Sequence, residues 1–278
     1  FSIDLPSGIH ADSGNVKGIA IKSNITFAMG FYKPGHFLYP GKMYCGELNL
    51  IKLGLKTNEK RKPKIMLLTK NIIKNKVPDF DINVHKHQKG NVLIFSGEML
   101  GAARLVALSA RKIGAGLSTI IIDKKLYNSY PNIEPGTILN FNKRINFFDF
   151  SSVVIGPGLG KKYKKKKVLK NINNKLPLVI DADGLSIFEK KKKKFFKVLN
   201  NRKNSILTPH HGEFKRLFNF SYGDKVLKSI EASKLTSSIM VYKGTDTVIA
   251  TPNSDVWICN NAKKSLATAG TGDILTGM

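Results

Sequence analysis

Residues 153–160 read VVIGPGLG, residues 178–185 read LVIDADGL, and residues 205–209 read SILTP. Each stretch is a short apolar run that ends in glycine, aspartate or proline. Short buried strands of this kind, separated by intervals long enough for a helix, are typical of a mostly parallel sheet covered by helices on both faces. The sequence therefore predicts an α/β fold.

The same alternation extends along the chain from Val92 onward. Its further strand-like runs are VLIFSG (92–97), STIIID (118–123), IMVYKG (239–244), DTVIAT (246–251) and DVWIC (255–259). An amphipathic stretch from Met99 to Ile113 predicts a helix after the first of these runs. The last two runs are separated by Pro252, Asn253 and Ser254, a turn-rich sequence that predicts a hairpin.

Residues 1–55 differ from the rest of the chain because they are rich in glycine and in strand-like runs. The stretch that follows, KTNEKRKPK at 56–64, is charged, contains Pro63 and has no apolar period. Such a stretch is typical of a linker. We therefore expect one unit at 1–55, a linker at 56–64 and a second unit at 65–278. FSIDLPSG at the start and GTGDILTGM at the end lead us to expect that both units are truncated.

Composition narrows the class of protein. The 278 residues include 46 Lys plus Arg against 19 Asp plus Glu, a formal net charge of +27, and 42% are apolar, which excludes wholesale disorder. Cys45 and Cys259 lie far apart without metal-ligand spacing, which argues against a disulfide framework or a structural zinc site. With no signal peptide and no apolar run of roughly 18 residues, we expect a cytoplasmic protein without a membrane partner.

Two lysine runs, KKYKKKK at 161–167 and KKKKK at 190–194, permit two interpretations. Clustered positive charge can bind nucleic acid, but it also occurs on solvated helix faces. No RNP-like aromatic motif, helix-turn-helix pattern or zinc finger accompanies the runs. We therefore expect no nucleic-acid partner, with a basic nucleic-acid-binding protein kept as the alternative of another class.

The strongest candidate for chemistry is ATAGTGD at 267–273. Its glycines allow a close approach of the backbone to a ligand, and the helix expected near Asp273 would point free N–H groups at an anion such as phosphate. Asp273 could then act as general base on a hydroxyl that receives a phosphoryl group. The structural alternative is that Asp273 only caps the helix.

Further glycine or polar residues follow other strands, where α/β sheets bind ligands. They are Gly156, Gly158 and Gly160, then Asp181 and Asp183, then His210 and Glu213, and finally the KGTDT stretch from Lys243 to Thr247. A cation and backbone amides in the last of these could surround nucleotide phosphates or ribose. Any one of these groups is explained by ordinary turns, but all of them together favour a ligand site.

The order of these motifs carries a family resemblance. From about His85 to the end, HKxxxG, GAA, GAG, IGPGLG, VIDADGL, LTPHHGEF, VYKGTDTVIATP and AGTGD resemble the ADP- or ATP-dependent NAD(P)H-hydrate dehydratases of the ribokinase-like superfamily. IDLPSGIHADSG, TFAMGFYKPG and GKMYCGEL resemble the closing part of an NAD(P)H-hydrate epimerase domain. The sequence departs from the family pattern at two places. His87 stands where the family usually has glycine, and the turn FSGEML at 95–100 has fewer small residues than is usual.

The resemblance implies a ribokinase-like three-layer fold preceded by the end of a Rossmann-like epimerase domain. It implies that ADP or ATP, with Mg²⁺, phosphorylates the hydroxyl of (S)-NAD(P)H-hydrate and that phosphate is then eliminated to give NAD(P)H. In the bifunctional arrangement the epimerase interconverts the R and S hydrates and uses K⁺. The resemblance further implies a homotetramer. A vitamin or sugar kinase of the same superfamily is the alternative.

The resemblance also implies roles for individual residues. Asp273 would be the catalytic base. The substrate-binding residues would be Ala103, Gly158, His210, Asp273 and, in the epimerase part, Asp4. The nucleotide-binding residues would be Lys243, Gly244, Thr245, Asp246, Thr247 and Gly272. Ser7 would be a potassium ligand.

Overall fold

The computed structural model describes residues 1–55, 64–74, 76–77, 83–125, 134–142, 144–160 and 163–278. The strands are β1 (Ser2–Ile3), β2 (Ile25–Met29), β3 (Glu47–Ile51), β4 (Ile65–Leu67), β5 (Asn91–Phe95), β6 (Leu117–Ile121), β7 (Thr137–Asn140), β8 (Ser152–Ile155), β9 (Leu178–Ile180), β10 (Ser205–Leu207), β11 (Ile239–Tyr242), β12 (Thr247–Ala250) and β13 (Val256–Cys259). The helices are α1 (Lys42–Cys45), α2 (Lys70–Lys74), α3 (Leu100–Ile113), α4 (Lys165–Ile172), α5 (Asp183–Ser186), α6 (Lys192–Asn200), α7 (His211–Phe218), α8 (Lys225–Thr236) and α9 (Thr271–Gly277).

The strands β4 to β13 form one large sheet in the order β4-β13-β12-β11-β10-β9-β8-β5-β6-β7. From β11 to β7 every neighbouring pair is parallel, and β12 runs antiparallel to both of its neighbours. The α/β prediction with a mostly parallel sheet is therefore confirmed. The predicted hairpin is confirmed as well, with Val248 opposite Ile258 across β12 and β13.

Helices cover both faces of the large sheet. Strand side chains alternate between faces, and the buried residues accordingly form two clusters. Ile94 on β5 packs in a cluster with Val106 of α3, whereas Phe95, the next residue, belongs to a cluster with Val168 and Ile172 of α4. This arrangement follows from the topology, because the β5–α3–β6 and β8–α4–β9 crossovers run in opposite directions along the sheet.

Helix α9 packs on α3, and a glycine makes this contact possible. A Cβ at Gly277 would lie 2.0 Å from Ser109 Oγ and 2.3 Å from the Val106 carbonyl oxygen. Only glycine allows the two helices to come this close. The packing brings Gly270–Asp273, called the GTGD turn below, to the edge of the sheet where the parallel strands have their carboxyl ends.

Residues 1–55 contain a separate parallel sheet in the order β1-β2-β3. A short segment after β2 carries Phe37 and Leu38 into the main buried cluster. The neighbouring Tyr39 N–H donates to Asp246 Oδ2 at 2.9 Å, and Lys42 Nζ donates to the Asn260 carbonyl at 2.6 Å. The expected linker at 56–64 lies outside the described residues except for its last residue, and the division into units stays a prediction.

The lysine run at 190–194 leads into α6 and forms its first turn, and four of its five residues are exposed, whereas Phe195 and Leu199 of the helix are buried. This is the geometry of a solvated helix face. Residues 161 and 162 of the other run lie outside the described residues. In the described part of the chain, no helix is long and apolar enough to cross a membrane.

Candidate active site

Three elements meet at one edge of the large sheet. Asp181 follows β9 and is almost completely buried, with 2% of its surface exposed. Lys243 follows β11, and its Nζ lies 2.7 Å from Asp181 Oδ1. Thr276 of α9 donates from Oγ1 to Asp181 Oδ2 at 2.7 Å. The end of α9, the KGTDT loop (Lys243–Thr247) and the end of β9 are therefore joined by one buried carboxylate.

Asp273 stands in the first turn of α9 beside this group. The helix begins at Thr271 with Gly270 as its N-cap, at φ +86°. Asp273 is thus inside the helix, and the interpretation of Asp273 as a helix cap is wrong. Burial raises the pKa of the Asp273 carboxyl, the negative charge of Asp181 raises it further, and the positive charge of Lys243 opposes both. A carboxylate with raised proton affinity suits a general base.

His210 and Glu213 form the next part of the edge, at the start of α7. The His210 N–H donates to Glu213 Oε2 at 2.9 Å, and His210 Nδ1 accepts from the Gly212 N–H at 3.0 Å. In the neutral ring the proton is therefore on Nε2, which lies 3.4 Å from Glu213 Oε1. Burial raises the pKa of Glu213, as does Asp181 nearby, against the lowering effects of the His210 N–H, His210 and Lys243.

The KGTDT loop is held by its own side chains. Thr247 Oγ1 donates to the Gly244 carbonyl at 2.8 Å and accepts from the Gly244 N–H at 3.1 Å. Asp246 is buried and accepts from Lys225 Nζ at 2.5 Å as well as from the Tyr39 N–H. Among the residues predicted to bind nucleotide, Gly244 and Thr245 are exposed, whereas the Asp246 carboxylate is used to anchor the loop.

The glycines of IGPGLG serve close packing. A Cβ at Gly156, where φ is +136°, would lie 1.7 Å from the Asp181 carbonyl oxygen, and one at Gly158 would lie 2.1 Å from the Met99 carbonyl oxygen. Gly158 is therefore pressed against the start of α3 and is buried. Ala103, in the same turn of α3, is also buried and has its methyl group in the sheet-facing cluster. The substrate-binding roles of Gly158 and Ala103 stay predictions.

The two predicted residues of the first unit follow β1 of the small sheet. Asp4, at φ +65°, pairs with Lys33 and accepts from the Met29 N–H at 3.0 Å through Oδ1. Burial acts to raise the pKa of Asp4, but the hydrogen bonds from Lys33 and Met29 outweigh it, and the pKa is lowered overall. Ser7 is exposed, and its carbonyl accepts from the Ile21 N–H. Among the described contacts, none joins Asp4 or Ser7 to the Asp273 group.

Two features were missed by sequence reasoning. Thr276 carries no motif signal, and its role depends on the packing of α9.

A cavity of about 880 Å³ opens on the α4 face of the sheet, and its lining includes Phe95, Glu98, Asp123, Tyr163 and Lys167. Burial in its wall raises the pKa of Tyr163 to about 12. The lining comes from the ends of β5 and β6, from α4 and from several loops, so no single stretch of sequence indicates the cavity.

The described residues contain no cluster of three or more His, Cys, Asp or Glu side chains placed to hold a metal ion. Mg²⁺ is nevertheless compatible with this edge, because it is usually bound through one or two carboxylates together with the phosphates of a nucleotide. Asp273 has a carboxylate that no described side chain hydrogen-bonds, so it is available for such a role or for a proton.

Comparison with known proteins identifies the family. A sequence profile described as NAD(P)H-hydrate dehydratase matches residues 92–278. The chain belongs to the NAD(P)H-hydrate dehydratase family. A second profile, described as YjeF-related protein N-terminus, matches residues 1–35. Both parts of the family resemblance found in the sequence are thereby confirmed.

Similar proteins include bifunctional NAD(P)H-hydrate repair enzymes. The chain is 32% identical to that of Coxiella burnetii and 30% identical to that of Synechocystis sp., in each case over 100% of this chain and 58% or 56% of the relative. This dehydratase-family chain thus spans somewhat over half the length of the curated relatives it matches.

Solved structures agree with the expected fold. A ribokinase-like superfamily protein of Enterococcus faecalis has a TM-score of 0.63 at 22% identity, covering 80% of this chain and 79% of that one. The ADP/ATP-dependent NAD(P)H-hydrate dehydratase of Bacillus subtilis, co-crystallised with ATP and Mg²⁺, has a TM-score of 0.62 at 25% identity, covering 77% of this chain and 79% of that one. The ribokinase-like fold is therefore confirmed.

Proposed function

We propose that this chain carries out the ADP- or ATP-dependent dehydration of (S)-NAD(P)H-hydrate to NAD(P)H. The observation that supports this most is the meeting of Asp273, Lys243 and His210 at the carboxyl-end edge of a dehydratase-family domain. The three side chains come from separate motifs. Asp273 and Lys243 both interact electrostatically with Asp181, and His210 and Lys243 both interact electrostatically with Glu213.

The residues then divide the work as follows. Asp273 accepts the proton of the hydrate hydroxyl while the hydroxyl oxygen attacks the terminal phosphorus of the nucleotide. The nucleotide without its terminal phosphoryl group then leaves. The backbone N–H groups of the GTGD turn receive the transferring phosphoryl oxygens. The phosphate group then leaves with the electron pair of the C–O bond while the neighbouring ring carbon gives up a proton to water, and the C–H electrons form the double bond that restores the reduced nicotinamide. His210, through Nε2–H, binds and orients the substrate.

Lys243 and the KGTDT loop bind the nucleotide, together with Gly272. Mg²⁺ would neutralise charge on the nucleotide phosphates when bound. In the first unit, Asp4 would bind hydrate and Ser7 would contribute a hard oxygen ligand to K⁺. Epimerisation of the R and S hydrates by the full-length protein, a homotetramer and a cytoplasmic location belong to the same proposal, with the unit boundaries at 1–55, 56–64 and 65–278.

The test is to incubate the protein with hydrated NADH, ADP and Mg²⁺ and to follow the absorbance of reduced nicotinamide. Recovery that depends on nucleotide supports the proposal. A stable phosphate ester without recovery would instead indicate a kinase, and no reaction with either nucleotide would refute the proposal. Parallel reactions with ATP and with hydrated NADPH define the preferred substrates.

A further inference from the structure

The buried carboxylate of Asp181 is the group around which the candidate active site is arranged. Its two oxygens have different partners, Lys243 Nζ and Thr276 Oγ1, each at 2.7 Å. These partners come from two elements that are far apart in sequence, the KGTDT loop and α9. Neither the substrate-binding nor the nucleotide-binding set predicted from sequence includes Asp181.

The GTGD turn lies directly over this pair. Thr276 Oγ1 is also 2.9 Å from the Gly272 carbonyl oxygen, so its single proton is shared between that carbonyl and Asp181. A Cβ placed on Gly272 would be 3.6 Å from Lys243 Nζ and 3.8 Å from Asp181 Oδ2, which is van der Waals contact. The backbone of the turn therefore lies close to the ion pair, and the Thr276 hydroxyl is the hydrogen-bonded link between the two.

A gain in stability does not by itself explain the buried ion pair of Asp181 and Lys243. Removing two charges from water costs about as much as their attraction returns, and an apolar replacement of a buried pair is often neutral or stabilising. A hydrogen-bonded charge pair does, however, impose one geometry on its neighbours. The pair in this chain joins the lysine of the KGTDT loop to the turn that carries Asp273.

We propose that Asp181 is a positioning residue that holds Lys243 and, through Thr276, the GTGD turn in one fixed arrangement for nucleotide phosphates. This inference rests on the proposed function and adds to it the reason why the loop and the turn act as one site. Asp181 would act without touching nucleotide or hydrate, because its carboxylate is buried and both of its oxygens already have partners. Without it, the cation of Lys243 and the N–H groups of the turn would no longer face the same phosphate.

The test compares two threonines that share a local contact. Thr276 and Thr236 are both buried and both donate to the carbonyl four residues earlier, at 2.9 and 2.7 Å, but only Thr276 also reaches Asp181. Thr276→Val, Thr276→Ser, Thr236→Val and Asp181→Asn are prepared in the full chain. For each, the Kd for ADP is measured by calorimetry, the nucleotide KM and kcat by hydrate turnover, and the Tm by thermal melting.

We expect Thr276→Val to raise the Kd for ADP about tenfold and Asp181→Asn about 100-fold, since hydrogen bonds to charged groups have effects of this size. Thr276→Ser should restore the wild-type Kd, and Thr236→Val should leave it unchanged.

A lower Tm for Thr276→Val and Asp181→Asn with unchanged Kd and KM would reduce Asp181 to a structural role and overturn the proposal. If the wild type binds ADP without dehydrating hydrate, the proposed function fails while the Kd comparison still decides the role of Asp181. A wild type that neither binds ADP nor turns over overturns both.

Discussion

Replacing Asp273 by asparagine is the most direct perturbation of the proposed chemistry. The substitution preserves the size of the side chain and removes its ability to accept a proton. No described side chain hydrogen-bonds the Asp273 carboxylate, and Gly270 supplies the N-cap of α9, so little structure depends on the charge. A positioned general base contributes about 10²- to 10⁴-fold, and we therefore expect kcat to fall about 1,000-fold.

Asp273→Asn should not weaken nucleotide binding. The change removes a negative charge close to a site for phosphates, so the Kd for ADP should stay the same or decrease. The assay is recovery of reduced nicotinamide from hydrated NADH at saturating ADP, with calorimetry for the Kd. Asp255→Asn is the matched control, since Asp255 is an exposed aspartate in the turn before β13. A kcat for Asp273→Asn within threefold of wild type would refute the assignment of Asp273 as the base.

The pH dependence of the wild-type enzyme tests the same assignment. A base must be ionised, so kcat/KM should fall as pH falls through the pKa of Asp273. Burial raises that pKa, and Asp181 adds to the rise against Lys243, so the acid limb should lie above the ordinary aspartate range. An acid limb at or below that range would contradict the electrostatic argument.

Two further predictions concern the framework of the site. Gly156→Ala would place a Cβ 1.7 Å from a backbone oxygen at φ +136°, so we expect the free energy of unfolding to drop by at least about 3 kcal/mol. Gly101→Ala, which meets nothing within 4 Å and lies in the first turn of α3, should keep that free energy or raise it by up to about 1 kcal/mol in the same urea titrations, since alanine favours the helix more than glycine does; equal losses would refute the argument. Asp246→Ala would leave Lys225 partly buried without its carboxylate, and we expect a loss of about 3 kcal/mol, contradicted by a loss below about 1 kcal/mol.

Most of the fold could be predicted because its signals are local. Buried parallel strands need continuous apolar runs, and the runs at 92–97, 153–158 and 178–185 each overlap a strand of the large sheet. The amphipathic stretch after Val92 became α3 with nearly the expected bounds. Strand order could not be obtained in this way, because it depends on which helices cover which face.

The candidate site was predictable only where function leaves a motif. The motifs singled out Asp273, Lys243 and His210, which the structure places at one edge of the sheet, and their roles stay predictions. They gave no indication that Asp246 contacts the Tyr39 N–H, since those residues are 207 positions apart. The hydrogen bond of Thr276 to Asp181 was equally invisible, because it exists only once α9 has packed on α3.

The KGTDT loop is held in place by residues from distant parts of the chain. Lys243 is held by Asp181, Gly244 is held by Thr247, and Asp246 is held by Lys225 together with the Tyr39 N–H. A loop fixed at three points before ligand arrives loses little conformational freedom on binding, which favours affinity. Because one of these points belongs to the segment after β2, the first unit contributes directly to the order of the loop. Residues 1–55 therefore help to hold the candidate site in place. We expect a chain that lacks them to bind ADP more weakly in calorimetry, and an unchanged Kd would contradict this inference.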